Sequence, residues 1–307
     1  MRTRTCEHWR VNPTSRALIA TAAVGACVGA GTLAYALWEA RSYRLREESV
    51  PVLPAGASPI RLLHLSDLHL TASQRSKAIW VSELAELEPD FVVVTGDFIS
   101  NAEALPAVLH SLEPLLGIPG AFVFGSNDYY AAQLKNPLRY FAGPSSLADR
   151  KPNLPTEQLR SGLTSRGWLD LNNRPGEVKV EGSLVSMLGT DDPHIYRDDY
   201  ALVAGNFDPR ADLRLGVTHA PYLRVLDAMA ADGAELILAG HTHGGQVCLP
   251  GFGTLVTNCD LDRARARGLS RHEDAWLHVA AGLGTNPYTP IRVACPPEAT
   301  LLTLTGR

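Results

Sequence analysis

The chain has 307 residues, 45% of them hydrophobic and 20% charged, which excludes a disordered or collagen-like protein and leaves a globular one. Its formal charge of −4 is unevenly spread: residues 1–57 carry seven Arg against four Glu, and residues 58–307 carry 21 Lys or Arg against 28 Asp or Glu. An acidic C-terminal part offers no basic face to a phosphate backbone, so nucleic acid is not expected as a partner.

Ala17 to Trp38 is an uncharged run between Arg16 and Glu39. As a helix it would extend roughly 33 Å, enough to cross a hydrocarbon core of about 30 Å. It reads either as an uncleaved anchor or as a signal removed at Ala34-Tyr35-Ala36, whose small-x-small pattern suits a signal peptidase. The length of the run favours the anchor. Arg2, Arg4, Arg10 and Arg16 precede it and Arg41, Arg44 and Arg46 follow, which points to a cytoplasmic segment 1–16, a transmembrane segment 17–38 and an extracytoplasmic remainder. Residues 39–57 read as a linker. Glu47–Pro59, with three prolines and a glycine, reads as an extended tether, so the folded domain is expected over 58–307.

From residue 60 short apolar runs alternate with amphipathic stretches. Strands are expected at Ile60–Ser66, Phe91–Thr95, Ala121–Phe124, Leu184–Leu188, Leu213–Thr218, Glu235–Ala239, Leu277–Ala281 and Thr300–Leu304. Helices are expected at Ser73–Leu87, Ala102–Leu116 and Tyr222–Ala231, where apolar residues recur every three or four positions. The first half reads βαβαβ, which favours parallel strands with helices packed outside; the later strands read more like an antiparallel meander. Ala131 to Asn172 is poorly periodic and is expected to form a cap over the site.

Five of the apolar runs end in residues able to bind metals. The first gives Ser66-Asp67-Leu68-His69, the second Thr95-Gly96-Asp97, and the third Gly125-Ser126-Asn127-Asp128. Val217-Thr218-His219 and Gly240-His241-Thr242-His243 complete the series. Open α/β sheets place their chemistry at the C-terminal ends of strands. Taken singly, an Asp-x-His or a Gly-Asp is a common accident, and a lone strand histidine such as His64 reads as a core residue. Five sites in this order, each after its own strand, point to a metallohydrolase.

That order resembles the calcineurin-like metallophosphoesterases, whose pattern runs DxH, GD, GNH(D/E), xH and GHxH. The resemblance spans about Ile60 to Leu304. Gly244-Gly245-Gln246 after the HxH, the tail Gly282–Pro287, Pro290-Ile291-Arg292 and Cys295-Pro296-Pro297-Glu298 look like the bacterial membrane- or wall-associated branch. The resemblance implies a fold of the mixed α/β class: a four-layer, two-sheet β-sandwich flanked by helices. It also implies two divalent metal ions, with Asp67, His69 and His243 on the first, His219 and His241 on the second, and Asp97 bridging. Mixed nitrogen and oxygen ligands suit Mn, Fe or Zn better than Ca. Two such cations about 3.5–4 Å apart can clamp a phosphoryl group and deliver a bridging hydroxide.

One motif departs from the family. Where it has GNH(D/E), this chain has Gly125-Ser126-Asn127-Asp128, so either Ser126 or Asn127 supplies the neutral metal ligand. Asn127 is the better donor, since an amide oxygen suits a hard cation. Either way the histidine that protonates the leaving group is missing. Asp191, Asp192 and His194 end another strand; they read as a solvated turn, as support behind the metal ligands or as substrate contacts, with His194 the nearest stand-in for the lost acid. Gly284 and Thr285 lie in a turn whose backbone N–H groups could touch a phosphate. None of the five cysteines forms a Cys-x-x-Cys pair, and Cys248 and Cys259 read as small buried residues or as a disulfide of an exported domain.

The expected protein is therefore a membrane-tethered or secreted phosphoesterase. Its substrate would be a phosphate mono- or diester of the cell envelope, with lipid-linked esters among the candidates. Asp97, Asn127 and His194 would take part in catalysis, and Asn127, Gly284 and Thr285 would contact the substrate. The alternative is a weakened scaffold that keeps the fold and has lost its acid.

Overall fold

Alternation along the strands decides the layering. The computed structural model describes residues 13–134, 151–249 and 251–307. The first sheet runs in the order β1 (Arg44–Leu53), β14 (Glu298–Gly306), β2 (Ile60–Leu65), β3 (Phe91–Thr95), β4 (Gly120–Val123) and β5 (Leu169–Asp170). The second runs β12 (Gly268–His272), β13 (Ala275–Val279), β9 (Leu236–Ala239), β8 (Leu213–Val217), β7 (Ser183–Gly189) and β6 (Arg174–Val180). A separate short pair is formed by β10 (Cys248–Leu249) and β11 (Gly253–Thr254). Residues two apart on a strand share a face. Leu63, Leu65, Val92, Val94 and Phe122 therefore pack outward against helices α2 (Arg75–Glu83), α3 (Leu105–Leu112) and α5 (Thr156–Thr164). Leu62, Val93, Ala121 and Val123 face inward and meet Met187, Leu215, Val217, Leu236 and Leu238 of the second sheet. That sheet turns Ile237, Ala239, Leu277 and Val279 outward onto α6 (Leu223–Ala231). The result is the helix–sheet–sheet–helix sandwich that the resemblance implies.

Strands β2 to β5 are parallel, as are β7, β8, β9 and β13. The antiparallel meander expected for the second half is thus reduced, within the second sheet, to the outer pairs β6–β7 and β12–β13. All eight expected strands are present. The outer strands β6 and β12 have exposed faces and little apolar patterning, and so give no sequence signal.

The stretch expected as linker and tether is instead part of the sheet. β1 pairs in parallel with β14 over its length and buries Val50, Val52 and Leu53 against the inter-sheet core. Tyr43 packs on Trp80 of α2, with ring centroids 5.4 Å apart. Pro51 is tolerated because β1 is an edge strand. The expected cap is also corrected: Thr156–Thr164 is a helix whose Leu159 and Leu163 enter the core, and residues 135–150 lie outside the described residues.

The N-terminal helix α1 (Pro13–Glu39) is long and apolar enough over Thr21–Glu39 to cross a membrane, and only 6% of that window is buried. Its C-terminal end is attached to the domain. Ala36 and Glu39 are buried, the Arg292 backbone N–H donates to Ala36 O at 3.1 Å, and Cys295 N–H donates to Glu39 Oε2 at 3.4 Å. Residues 1–12 of the expected cytoplasmic segment lie outside the described residues.

Between the sheets, His64 of β2 meets His278 of β13, Nδ1 to Nδ1 at 2.8 Å, and His64 Nε2 bonds Thr95 Oγ1 at 2.9 Å. The pair needs one ring nitrogen to donate and the other to accept, so the accepting ring is neutral. Burial holds both below the usual histidine range, and His278 is pushed down to about 3.

Two measurements test this account. Removing residues 1–57 deletes β1 and exposes β14; with roughly 1.5–3 kcal/mol for each of the three buried side chains lost, that protein should melt well below one beginning at Arg41. Equal melting temperatures would show that β1 is dispensable. Unfolded His278 binds a proton below about pH 6.5 and the folded ring does not until about 3, so stability falls as pH drops through that window. For this ring the loss reaches about 2 kcal/mol at pH 5. His278→Gln should make the fall in melting temperature between pH 7 and pH 5 shallower.

Candidate metal centre

The candidate ligands all sit in the first turns after parallel strands: Asp67 and His69 after β2, Asp97 after β3, Asn127 in the short helix α4 (Ser126–Tyr129) after β4, His219 after β8, and His241 and His243 after β9. The two sheets thus present one rim of loops to a common point. Five of these residues have left-handed backbone: φ is 50° at Asp67, 41° at His69, 55° at Asp97, 69° at His241 and 51° at His243. Such conformations cost about 1–3 kcal/mol each at non-glycine residues and persist where surroundings impose them, most often at functional sites.

Asp67, His69, Asp97 and His243 offer ligand atoms that all lie within 4.8 Å of one another. His69 Nε2 is 3.2 Å from His243 Nε2 and 3.3 Å from Asp97 Oδ2, and His243 Nε2 is 3.5 Å from Asp67 Oδ1. On the other side of Asp97, His219 Nε2 is 3.7 Å from the same Oδ2. The His241 ring lies edge-on to His219, with centroids 5.2 Å apart. Asn127 donates from its backbone N–H to Asp97 Oδ1 and from its side-chain amide to Oδ2, both at 2.7 Å. Ser126 is turned aside, its Oγ accepting from the Asn127 amide at 3.4 Å. A Cβ on Gly125 would collide with Asp97 Oδ1 and the His219 ring, so only glycine lets these groups close up.

The donor set fits a cation. His219 Nδ1 bonds Thr95 O at 2.6 Å and His243 Nδ1 bonds Gly284 O at 3.0 Å; with each N–H donating outward, each Nε2 keeps its lone pair for the centre. Asp67 Oδ1 and His219 Nε2 are buried there without a hydrogen-bond partner. The electrostatics agree. Burial holds His69, His241 and His243 below the usual histidine range, in the neutral form that binds metals. Burial also opposes a charge on His219, but Asp97, Asp192 and Asp67 outweigh it and push the ring up to about 9. Burial raises Asp97 against the pull of His219. The cluster thus calls for positive charge that the polypeptide supplies only by holding protons.

Three buried charged residues with no place in the expected site hold the ligand loops. Asp128 accepts from the N–H groups of Asp97, Phe98 and Gly125 at 2.8, 2.8 and 2.9 Å. Lys77 donates to Leu68 O at 2.7 Å, between Asp67 and His69. Arg292 donates to Gly284 O, Ala281 O and Gly282 O at 2.7, 2.9 and 3.0 Å. Asp128 and Arg292 stand within the motifs that carry the family resemblance, and that position is their sequence signal; Lys77 on α2 has none.

The Asp191–His194 turn is buried rather than solvated. Asp191 accepts from Tyr129 Oη at 2.8 Å and Arg197 Nε at 3.0 Å, while Asp192 Oδ1 caps His194 N–H at 2.8 Å. Burial pushes Asp192 up to about 7. The His194 ring lies 4.4 Å from that of His241, centroid to centroid, and its Nδ1 is 3.1 Å from Tyr222 Oη. Gly284 turns its carbonyl to His243 and Arg292, and Thr285 is buried beside it. Cys248 and Cys259 are both free thiols, and the Cys248 sulfur shares the Gly244 carbonyl with that of Cys295.

Residues 60–245 match the sequence profile of the calcineurin-like phosphoesterases. The chain is 28% identical over 254 residues to an uncharacterised metallophosphoesterase of Bacillus subtilis, YkoQ, covering 81% of this chain and 84% of the relative. It is 27% identical over 260 residues to the phosphodiesterase YaeI of Escherichia coli, with 81% and 83% covered. With UDP-2,3-diacylglucosamine pyrophosphatase LpxG of Chlamydia trachomatis it shares 26% over 280 residues, with 79% and 83% covered. The chain belongs to the calcineurin-like phosphoesterases. It is a hydrolase of phosphoester bonds, with Asp and His residues able to bind metal at the rim of its sandwich.

If Asp97 serves the whole centre, Asp97→Asn should lose most bound metal by elemental analysis. Asp128→Asn, which cannot accept all three N–H groups, should weaken metal affinity by about 10–100-fold. Full metal content in the Asp97 variant would overturn its central role.

Proposed function

We propose that the protein hydrolyses phosphate mono- or diesters of the cell envelope at a centre of two divalent cations, Mn, Fe or Zn. One observation carries this: Asp97 touches both halves of the cluster, His69 on one side and His219 and Asn127 on the other. Asp67, His69 and His243 would hold one cation, His219, His241 and Asn127 the other, and Asp97 both. Bound there, the cations would supply Lewis-acid stabilisation of the phosphoryl charge and a nucleophile at neutral pH. The protein positions the ligands: Asp128 and Lys77 fix the turns of Asp97 and Asp67–His69. Gly284 and Thr285, in the 282–287 turn, would line the approach for substrate.

An envelope location is supported by α1, whose apolar length suits a membrane and whose last turn rests on the segment beside the centre. That last turn bonds Arg292, which in turn holds the Gly282 and Gly284 carbonyls. Trp38 at the end of the helix is exposed, as are Leu249, Phe252 and Tyr288 on the neighbouring loops. Those loops are joined to the Arg292 segment: Cys248 N–H bonds Val293 O at 2.8 Å and the Gln246 amide bonds Ile291 O at 3.0 Å. Exposed apolar side chains beside a membrane-length helix suit a bilayer surface. A lipid-linked phosphoester is therefore the favoured substrate class, and LpxG is named for a diacylated one. The excess of arginines before the helix favours a domain outside the cytoplasm.

Aligned without a gap, Asn127 stands where the family has its proton-donating histidine; as ligand or as stand-in, its amide cannot protonate a leaving group. His194, beside His241, is the nearest ring that can. Full-length protein in detergent with Mn²⁺ should hydrolyse aryl phosphodiesters, and esters of acidic phenols should react about 10²–10⁴-fold faster than alkyl esters. His194→Gln should steepen that dependence. A wild-type rate indifferent to leaving-group pKa, unchanged by His194→Gln, would show that another acid is in place. A fully metallated protein that turns over neither ester class would overturn the hydrolytic reading of the centre.

A further inference from the structure

Behind His243, two thiols meet. Cys248 opens β10, and Cys295 lies in the segment leading into β14. Both sulfurs approach one acceptor, Gly244 O, at 3.3 Å and 3.4 Å. Cys295 Sγ also lies 3.3 Å from His243 O. The backbones are already side by side: Cys248 N–H donates to Val293 O at 2.8 Å, and Val247 bridges Val293. A Cβ on Gly244 would come within 2.7 Å of Cys295 Sγ, so the Cys295 sulfur fills space that only a glycine leaves.

We propose that Cys248 and Cys295 form a disulfide that ties the His243 turn to the lead-in of β14. Thiols are weak hydrogen-bonding groups, and neither sulfur is needed to satisfy Gly244 O, which Thr254 Oγ1 also bonds at 3.1 Å. The oxidant is a small disulfide such as oxidised glutathione. The Cys248 thiol, the less buried of the two, loses its proton and its sulfur attacks the oxidant, releasing one glutathione thiol and leaving a mixed disulfide. The Cys295 sulfur then attacks Cys248 Sγ, its proton goes to solvent, and the second glutathione thiol leaves. Two protein thiols are oxidised and one disulfide is reduced. Outside the cytoplasm such oxidants are present and the bond would persist.

The test uses full-length protein in detergent, first reduced, then treated with oxidised glutathione, alkylated under denaturing conditions and mapped by mass spectrometry. The expected result is a loss of about 2 Da, for two hydrogens, with a non-reduced peptide joining Cys248 to Cys295. Each of Cys248→Ser and Cys295→Ser should abolish it. All five cysteines alkylated, a glutathione adduct left on Cys248, or a bond to Cys259 instead would overturn the pairing. This readout is independent of metal and of activity, so its failure is distinct from failure of the phosphoesterase reading. If the bond ties down His243, the oxidised protein should lose metal to a chelator several-fold more slowly than the reduced one; equal rates would overturn the tie.

Discussion

Two carboxylates, Asp67 and Asp97, are buried within a few ångströms of the same imidazole nitrogens, and the surrounding structure answers to them. A buried carboxylate is costly unless paired or hydrogen-bonded. The two buried cationic side chains nearby do not pair with them: Lys77 and Arg292 give their donors to backbone carbonyls. Compensating charge must come from a proton or from an added cation, which is why the imidazoles converge and why ligand atoms face the centre without partners. The left-handed backbone at five of these residues belongs to the same constraint, because it aims side chains from adjacent turns at one point.

Layering supplies the rigidity this requires. Each candidate ligand follows a strand whose side chains are buried on both faces, so the rim of loops rests on two interlocked cores. The His64–His278 pair crosses between the sheets beneath that rim, and Thr95, which His64 bonds, also gives its carbonyl to His219. The N-terminal helix joins the same framework. It is attached through Ala36 and Glu39 to the segment that carries Arg292 and Cys295, so the helix and the His243 turn share a support.

Much of this is legible in the sequence. The eight expected strands are short, mostly apolar runs, and the ligand motifs follow five of them directly. β1 escapes such a reading because its first half is charged and Pro51 interrupts it; as an edge strand it needs neither alternation nor a complete set of donors. The Asp191–His194 turn looks solvated because its polarity is all the sequence shows, whereas its burial depends on Tyr129, Arg197 and Tyr222 reaching it from other segments.

The sequence by itself determined the alternation of elements, the order of the candidate ligands and the substitution at Ser126-Asn127, because these are local patterns of period and spacing. Tertiary structure alone decided which of Ser126 and Asn127 faces Asp97, that β1 completes the first sheet, and that the Cys248 and Cys295 sulfurs converge on the Gly244 carbonyl. Those outcomes rest on contacts between residues far apart in the chain, where packing and closure of the two sheets, and not local propensity, fix what touches what.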